Sequence, residues 1–192
     1  TKLQDVMREH GPSGGEPEWL IIQNDTSVIN DRNLLARLST MMPHTHAVGA
    51  YGFTDIRSSG KWYKADNPEH VRGSFTQCNM DSLDWHYMVG HGFKDNDRYQ
   101  VSAIYGPFIA VRYETFMDID FTFMTENSKD GFFHYMVDIC LEVQKRGKYC
   151  ASLATQAQQY DRISNYFDDP NFIDDHSVFI TKWQETLPIT CR

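Results

Sequence analysis

The sequence predicts an α/β sandwich, a mostly parallel sheet flanked by helices. Two observations carry that expectation. Short apolar runs with strand character recur along the chain, and segments with helical periodicity stand between them. WLIIQ is followed by NDRNLLARLSTMM, and GFFHYMVDICLEVQKRGKYC leads into YCASLATQ. With 192 residues the chain is long enough for one domain with a real core and short for two, so residues 1–192 read as a single domain.

The elements follow in order. TKLQDVMREH sets Leu3, Val6 and Met7 at helical spacing, and GPSGGEP then stops any helix or strand. WLIIQ is the first strand. After it, Leu34, Leu35, Leu38 and Met41 share one helical face, with Asn30 or Asp31 as the N-cap. HAVGAYGF is a short, glycine-broken strand expected beside the first. DIRSSGKWYKADNPEHVRGSFTQ is polar and turn-rich and reads as surface loop with at most one hairpin. YQVSAIYGPFIAVRYETFMDI suggests two strands about Gly106 and Pro107, then a helical turn from Tyr113 to Met117. The clearest helix spans 131–146. Phe133, Met136, Val137, Cys140 and Leu141 form its apolar stripe, while His134, Asp138, Glu142 and Lys145 lie opposite; Asp130 can cap its start and Gly147 its end. YCASLATQ is a strand, and a last helix begins at Pro170 behind Asp168 or Asp169.

Charge and cysteine usage exclude several classes. The formal net charge of -8, with no cluster of Lys and Arg, argues against a nucleic-acid surface. Cys78, Cys140, Cys150 and Cys191 are scattered and form no C-x-x-C pair, so neither a zinc site nor a disulfide scaffold is expected; a reducing, cytoplasmic compartment fits. The sequence has no apolar run of about 18 residues that would make a transmembrane helix, and no secretory h-region. Thr1 in place of Met suggests a processed or excised chain.

Three places carry candidate chemistry. The first strand climbs through Trp19, Leu20, Ile21 and Ile22 and stops at Gln23, Asn24 and Asp25. Either Asn24 and Asp25 form an Asx-type turn that closes the strand, or the carboxylate is a hard oxygen ligand for a divalent metal. Gly106 suits a tight turn. Trp85, taken alone, reads as a core indole.

In their order and spacing, the strand ending in a carboxylate, VRGSFTQCNMD, YGPFIAVRYETF, GFFHYMVDICLEVQKRGKYC and FIDDHSVFITKW resemble the second half of family 2 glycosyltransferases with the GT-A fold. The similarity runs from about residue 18 to 187, most of the chain. It implies transfer of a sugar from a nucleotide-sugar donor to the hydroxyl of a glycan or other acceptor, with inversion and the help of Mn or Mg. Gln23, Asn24 and Asp25 would then meet the donor, with Asp25 as the metal ligand. Trp85, Tyr105 and Gly106 would face the acceptor, Tyr105 standing where the family often has an acid. The family's catalytic base falls on Met136, whose thioether accepts no proton, so the resemblance passes that role to Asp138 or Asp130, with His134 a further candidate. Thr155, Gln156 and Gln158 stand where many relatives carry a metal-binding His, and the 18 residues ahead of Trp19 leave little room for the family's nucleotide-binding sheet. The alternative reading is a degenerate GT-A fold that binds carbohydrate or a partner protein and transfers nothing.

Overall fold

Apolar side chains on both faces mark an interior strand, and the segment AIYGPFIAVR has them. In the computed structural model it is one continuous strand at the centre of the fold. The structure describes residues 18–61, 68–90, 98–128, 134–161 and 170–191, together with Gln4, Asp5, Met7 and Glu9, which are helical as expected.

In chain order, β1 (Trp19–Gln23) and β2 (Ser27–Ile29) precede α1 (Leu34–Ser39). Then come β3 (Thr45–Phe53), β4 (Asp55–Ile56), β5 (Val71–Asn79), β6 (Trp85–Val89), β7 (Arg98–Val101) and β8 (Ala103–Arg112). Two short helices, α2 (Tyr113–Asp118) and α3 (Thr122–Asn127), lead to α4 (Tyr135–Lys145), β9 (Tyr149–Leu153) and β10 (Ala157–Asp161). The chain closes with α5 (Pro170–Trp183) and β11 (Ile189–Thr190).

The fold is mixed α/β, but the sheet is not mostly parallel. The main sheet runs β1-β8-β3-β5-β10-β2, with β6 on β5 and β9 on β3 and β7. Of nine strand pairings among the described residues, only β3 with β9 and β5 with β10 are parallel. A helix between two strands does not enforce a parallel crossover here, because several neighbours in the sheet are distant in sequence or joined by turns. HAVGAYGF does not lie beside the first strand either; β8 stands between them, antiparallel to both. The stretch read as surface loop contains most of β5, a nine-residue strand of the main sheet. Gly73, with no side chain, and the polar Ser74 are both buried, which hid the strand from a hydrophobic reading.

Helix boundaries were nearer the mark. Leu34, Leu38 and Met41 are buried, although Leu35 is 70% exposed, and the N-cap is Asn33, whose backbone N–H donates to Asp31 Oδ1 at 2.9 Å. The helix expected over 131–146 is observed over Tyr135–Lys145, and Gly147 follows it with φ +69. Asp130, Phe133, Asp168 and Asp169 lie outside the described residues. The supposedly polar side of α4 is a correction: His134, Asp138 and Glu142 are all buried.

Alternate residues of β1 and β8 feed two apolar clusters. Trp19, Ile21, Phe108 and Ala110 join one; Leu20, Ile22, Ile109 and Val111 join the other. The strand alternation of side chains produces this directly. Between Ile109 and Tyr105, β8 spans four residues while β3 spans only two, from Gly49 to Tyr51. The two extra residues are a bulge at Gly106 and Pro107, the place where the sequence suggested a break between strands. Gly106 has φ +116, while a Cβ built there would only touch the Phe75 ring at 3.4 Å. The glycine is required by the backbone, not by lack of space. Gly106→Ala is therefore expected to lower the free energy of unfolding by about 1–3 kcal/mol, measured by urea denaturation.

Candidate functional site

The bulge positions the end of β1. Because β1 runs antiparallel to β8 with Gln23 opposite Phe108, the next residue meets the displaced Gly106 and Pro107 carbonyls. Asn24 donates its backbone N–H to Pro107 O at 3.0 Å and its side-chain amide to Gly106 O at 3.1 Å. Ser27 Oγ lies 2.8 Å from both Asn24 O and Pro107 O, and Gln23 Nε2 donates to Ser27 O at 2.5 Å. The Tyr135 hydroxyl, from the first turn of α4, completes the arrangement by donating to Asn24 Oδ1 at 2.7 Å. Burial pushes the Tyr135 phenol well above its ordinary pKa, so it remains a donor at any physiological pH.

These bonds separate the three residues at the strand end. Asn24 is committed on both sides of its amide, and the Gln23 side chain closes the turn. Gln23 and Asp25 are both exposed, and of the two Asp25 carries the carboxylate. The turn is closed by the backbone bond from Ser27 N to Asn24 O at 3.1 Å, not by an Asx side chain, since the Asn24 amide goes to Gly106 O and the Tyr135 hydroxyl.

Tyr105 precedes Gly106 on β8, and Trp85 begins β6. Tyr105 is half-buried, edge-on to Phe75 with centroids 6.2 Å apart. Trp85 is 52% exposed and meets the Tyr160 ring edge-on at 5.6 Å, so it is not a core indole. Tyr160 itself donates its backbone N–H to Thr26 O at 2.8 Å. It is the bridge between Trp85 and the Asp25 turn, and sequence reading missed it because β10 went unrecognised within LATQAQQYD.

The acids and imidazoles of α4 serve a different purpose. Asp138 is fully buried. Lys182 Nζ lies 2.8 and 3.0 Å from its two oxygens, and Trp183 Nε1 donates to it at 2.7 Å. Burial pushes the carboxyl up, against the pull of Lys182 and Trp183. Lys182 also reaches Glu142 Oε1 at 3.0 Å, and Arg146 takes Glu142 Oε2 at 2.6 Å. A carboxylate held in this way ties α4 to α5 and is not free to take a proton from a substrate. Met136 sits in the apolar cluster with Ile139 and Cys140, so the expected base position is also closed.

His134 belongs to a buried row. Its Nδ1 is 3.0 Å from Asp175 Oδ2 and its Nε2 is 3.0 Å from His176 Nδ1, while His176 Nε2 is 3.0 Å from Ser59 O. Ser128 Oγ donates to the other Asp175 oxygen, and Phe172 and Phe179 lie against the His134 ring. Ser59 offers only a carbonyl, so in the neutral His176 ring Nε2 carries the hydrogen and Nδ1 is the accepting atom, facing His134 Nε2. A further proton on His176 must go to that accepting atom.

Among the described residues, no group of three or more His, Cys, Asp or Glu side chains is placed to hold a metal ion. No helix among them is long and apolar enough to cross a membrane. The described cysteines are free thiols. No protein-family model matches the sequence, and a comparison with curated proteins also finds no match.

Two predictions follow from the α4–α5 contacts. Lys182→Met leaves Asp138 and Glu142 short of a counter-charge and should cost about 3–5 kcal/mol in chemical denaturation. The second concerns pH. Burial, then the neighbouring His134, holds the His176 pKa below its ordinary 6.5. The Asp175 carboxyl is raised by burial but brought below 3.8 by bonds from His134 and Ser128. In both cases the unfolded chain takes up protons before the folded one, so stability is present above the unfolded pKa and is lost on acidification. The thermal midpoint should fall from pH 7 to pH 5 through His176 and fall further below pH 4 through Asp175. His176→Gln should flatten the first part of that curve.

Proposed function

We propose that the protein transfers a sugar from a nucleotide-sugar donor to an acceptor hydroxyl, as the resemblance to family 2 glycosyltransferases implies. The observation that carries this reading is the bond pair from Asn24 to Gly106 and Pro107, which joins two segments 82 residues apart in sequence. The turn expected to hold the donor and the segment expected to face the acceptor thereby share one end of the sheet. Their adjacency is what a transfer reaction needs, since donor and acceptor must be held together in reacting geometry. Within the mixed sheet, a GT-A-like arrangement of β1 against β8 is part of the same proposal.

The residues present fit a divalent metal only in a limited way. Asn24 has both ends of its amide bonded, Gln23 is bonded through its Nε2, and Asp25 contributes a single carboxylate. Mg and Mn bind readily through one carboxylate plus phosphate oxygens and water, so the site suits a metal brought in with a diphosphate and not a resident ion. When bound, such a metal would offset the charge of the leaving diphosphate. The protein's own part is to hold Asp25 in place through Asn24, Ser27 and Tyr135. The base is assigned to Asp130, since Asp138 is bound to Lys182 and Trp183.

The binding of Asp138 and the burial of Met136 favour a second reading, a module of this fold that binds carbohydrate without transferring it. Calorimetric titration with UDP, GDP and dTDP, each with and without Mn, tests the first. At least one nucleotide should show metal-dependent binding that Asp25→Ala abolishes, and Asp130→Asn should abolish sugar transfer while leaving that binding intact. Absence of metal-dependent binding for every nucleotide, or its persistence in Asp25→Ala, overturns the donor-site assignment.

A further inference from the structure

The strands β6, β5 and β10 carry an open face of unusual composition. Their register places Trp85 opposite Cys78, which pairs with Tyr160, and places Tyr87 opposite Thr76, which pairs with Gln158. Residues directly opposite each other on neighbouring strands share a face, so these form two successive rows, about 7 Å apart along the strands. Phe75, one position out of phase, points the other way and is buried beneath Gly106. On the open side Trp85 is 52% and Tyr87 62% exposed.

Each row holds a ring beside hydrogen-bonding groups and carries no charge. The Tyr160 hydroxyl donates to Gln158 Oε1 at 3.0 Å, which fixes the amide and leaves its N–H groups facing outward from that bond. Arg72, further along the same face of β5, lies at its far end with its guanidinium over the Tyr99 ring and donating to the Val71 carbonyl. The first row adjoins the Asp25 turn through the bond from Tyr160 N to Thr26 O.

A pyranose offers an apolar C–H face and a rim of hydroxyls, and these rows offer an aromatic face and a rim of amide and hydroxyl groups. Without a cation, the rows have nothing to offset the desolvation of a phosphate or carboxylate. Val28, opposite Gln158, and Val89, in phase with Tyr87, extend the face as exposed apolar side chains at its margins. Between the two rings, Thr76, Gln158 and Tyr160 interrupt it with polar groups, whereas a protein-docking core is more continuously apolar.

We propose that this face binds an uncharged glycan chain, with Trp85 and Tyr87 as stacking rings and Thr76, Gln158 and Tyr160 as hydrogen-bonding partners. Identifying that chain as the extension of the acceptor rests on the transferase reading; its binding does not. The intact chain is titrated, without nucleotide or metal, with short neutral oligosaccharides derived from cellulose, chitin, xylan and starch, followed by tryptophan emission and calorimetry. At least one series should bind saturably and alter the emission. Trp85→Ala and Tyr87→Ala should each weaken binding roughly five- to tenfold, and Trp85→Phe less. Both positions are solvent-facing, and unchanged circular dichroism would verify folding. No binding in any series overturns the proposal, as does undiminished binding in the folded double alanine variant. Self-association that the same double variant abolishes would also overturn it, by assigning the face to a second copy. Glycan binding without metal-dependent nucleotide binding would leave the glycan site standing and end the transferase reading; the reverse result would end the glycan site alone.

Discussion

Two carbonyls leave the ladder of β8 at Gly106 and Pro107, and the arrangement of the site depends on where they go. A regular strand would direct its backbone bonds only to the strands beside it. The bulge instead offers Gly106 O and Pro107 O to Asn24 and Ser27, fixing the turn after β1. That turn positions Thr26, whose carbonyl receives Tyr160 N, and so aligns β10. Tyr135 then ties α4 to the same Asn24. A glycine is needed at the head of this sequence because its φ of +116 suits few other residues.

Helix α4 explains why polar groups do so much structural work. It lies between both apolar clusters, with Val137 and Leu141 in one and Met136, Ile139 and Cys140 in the other. That leaves its remaining side to α5, and three of its polar residues are buried there. Apolar contacts alone would allow α5 to slide along α4. Pairing Asp138 and Glu142 with Lys182, and His134 with Asp175 and His176, sets one register, since each misplacement strands a buried charge or donor.

Periodicity made the helices legible and left much of the sheet unread. Leu34, Leu38 and Met41 revealed α1, and the run from Met136 to Leu141 revealed α4, because helical spacing persists whatever the helix packs against. Strand β5 was lost because Arg72, Thr76 and Gln77 interrupt its apolar positions, and β10 because AQQYD has hardly any. Direction could not be read at all: parallel or antiparallel pairing is set by which strands meet, not by their side chains. At the site, the end of β1 was visible as an abrupt change from Ile22 to Gln23, and Gly106 as a break in an apolar run. Tyr135 and Tyr160 were invisible because their roles exist only through contacts with distant residues.

Burial also decides how the acids of this chain divide their roles. A carboxylate can hold two helices together when it is dry and paired, or serve a substrate when it is exposed and has a face free. Asp138 meets the first condition and Asp25 the second. Their positions follow from the elements that carry them: Asp138 lies mid-helix against α5, and Asp25 lies just past a strand end, where the backbone has already been satisfied by Asn24. On the transferase reading, the chemistry therefore falls to the turn and the open sheet rows beside it. The interior of α4 is committed to the fold, and placing an acid at Met136 would bury another charge in a cluster that has no partner arranged for it.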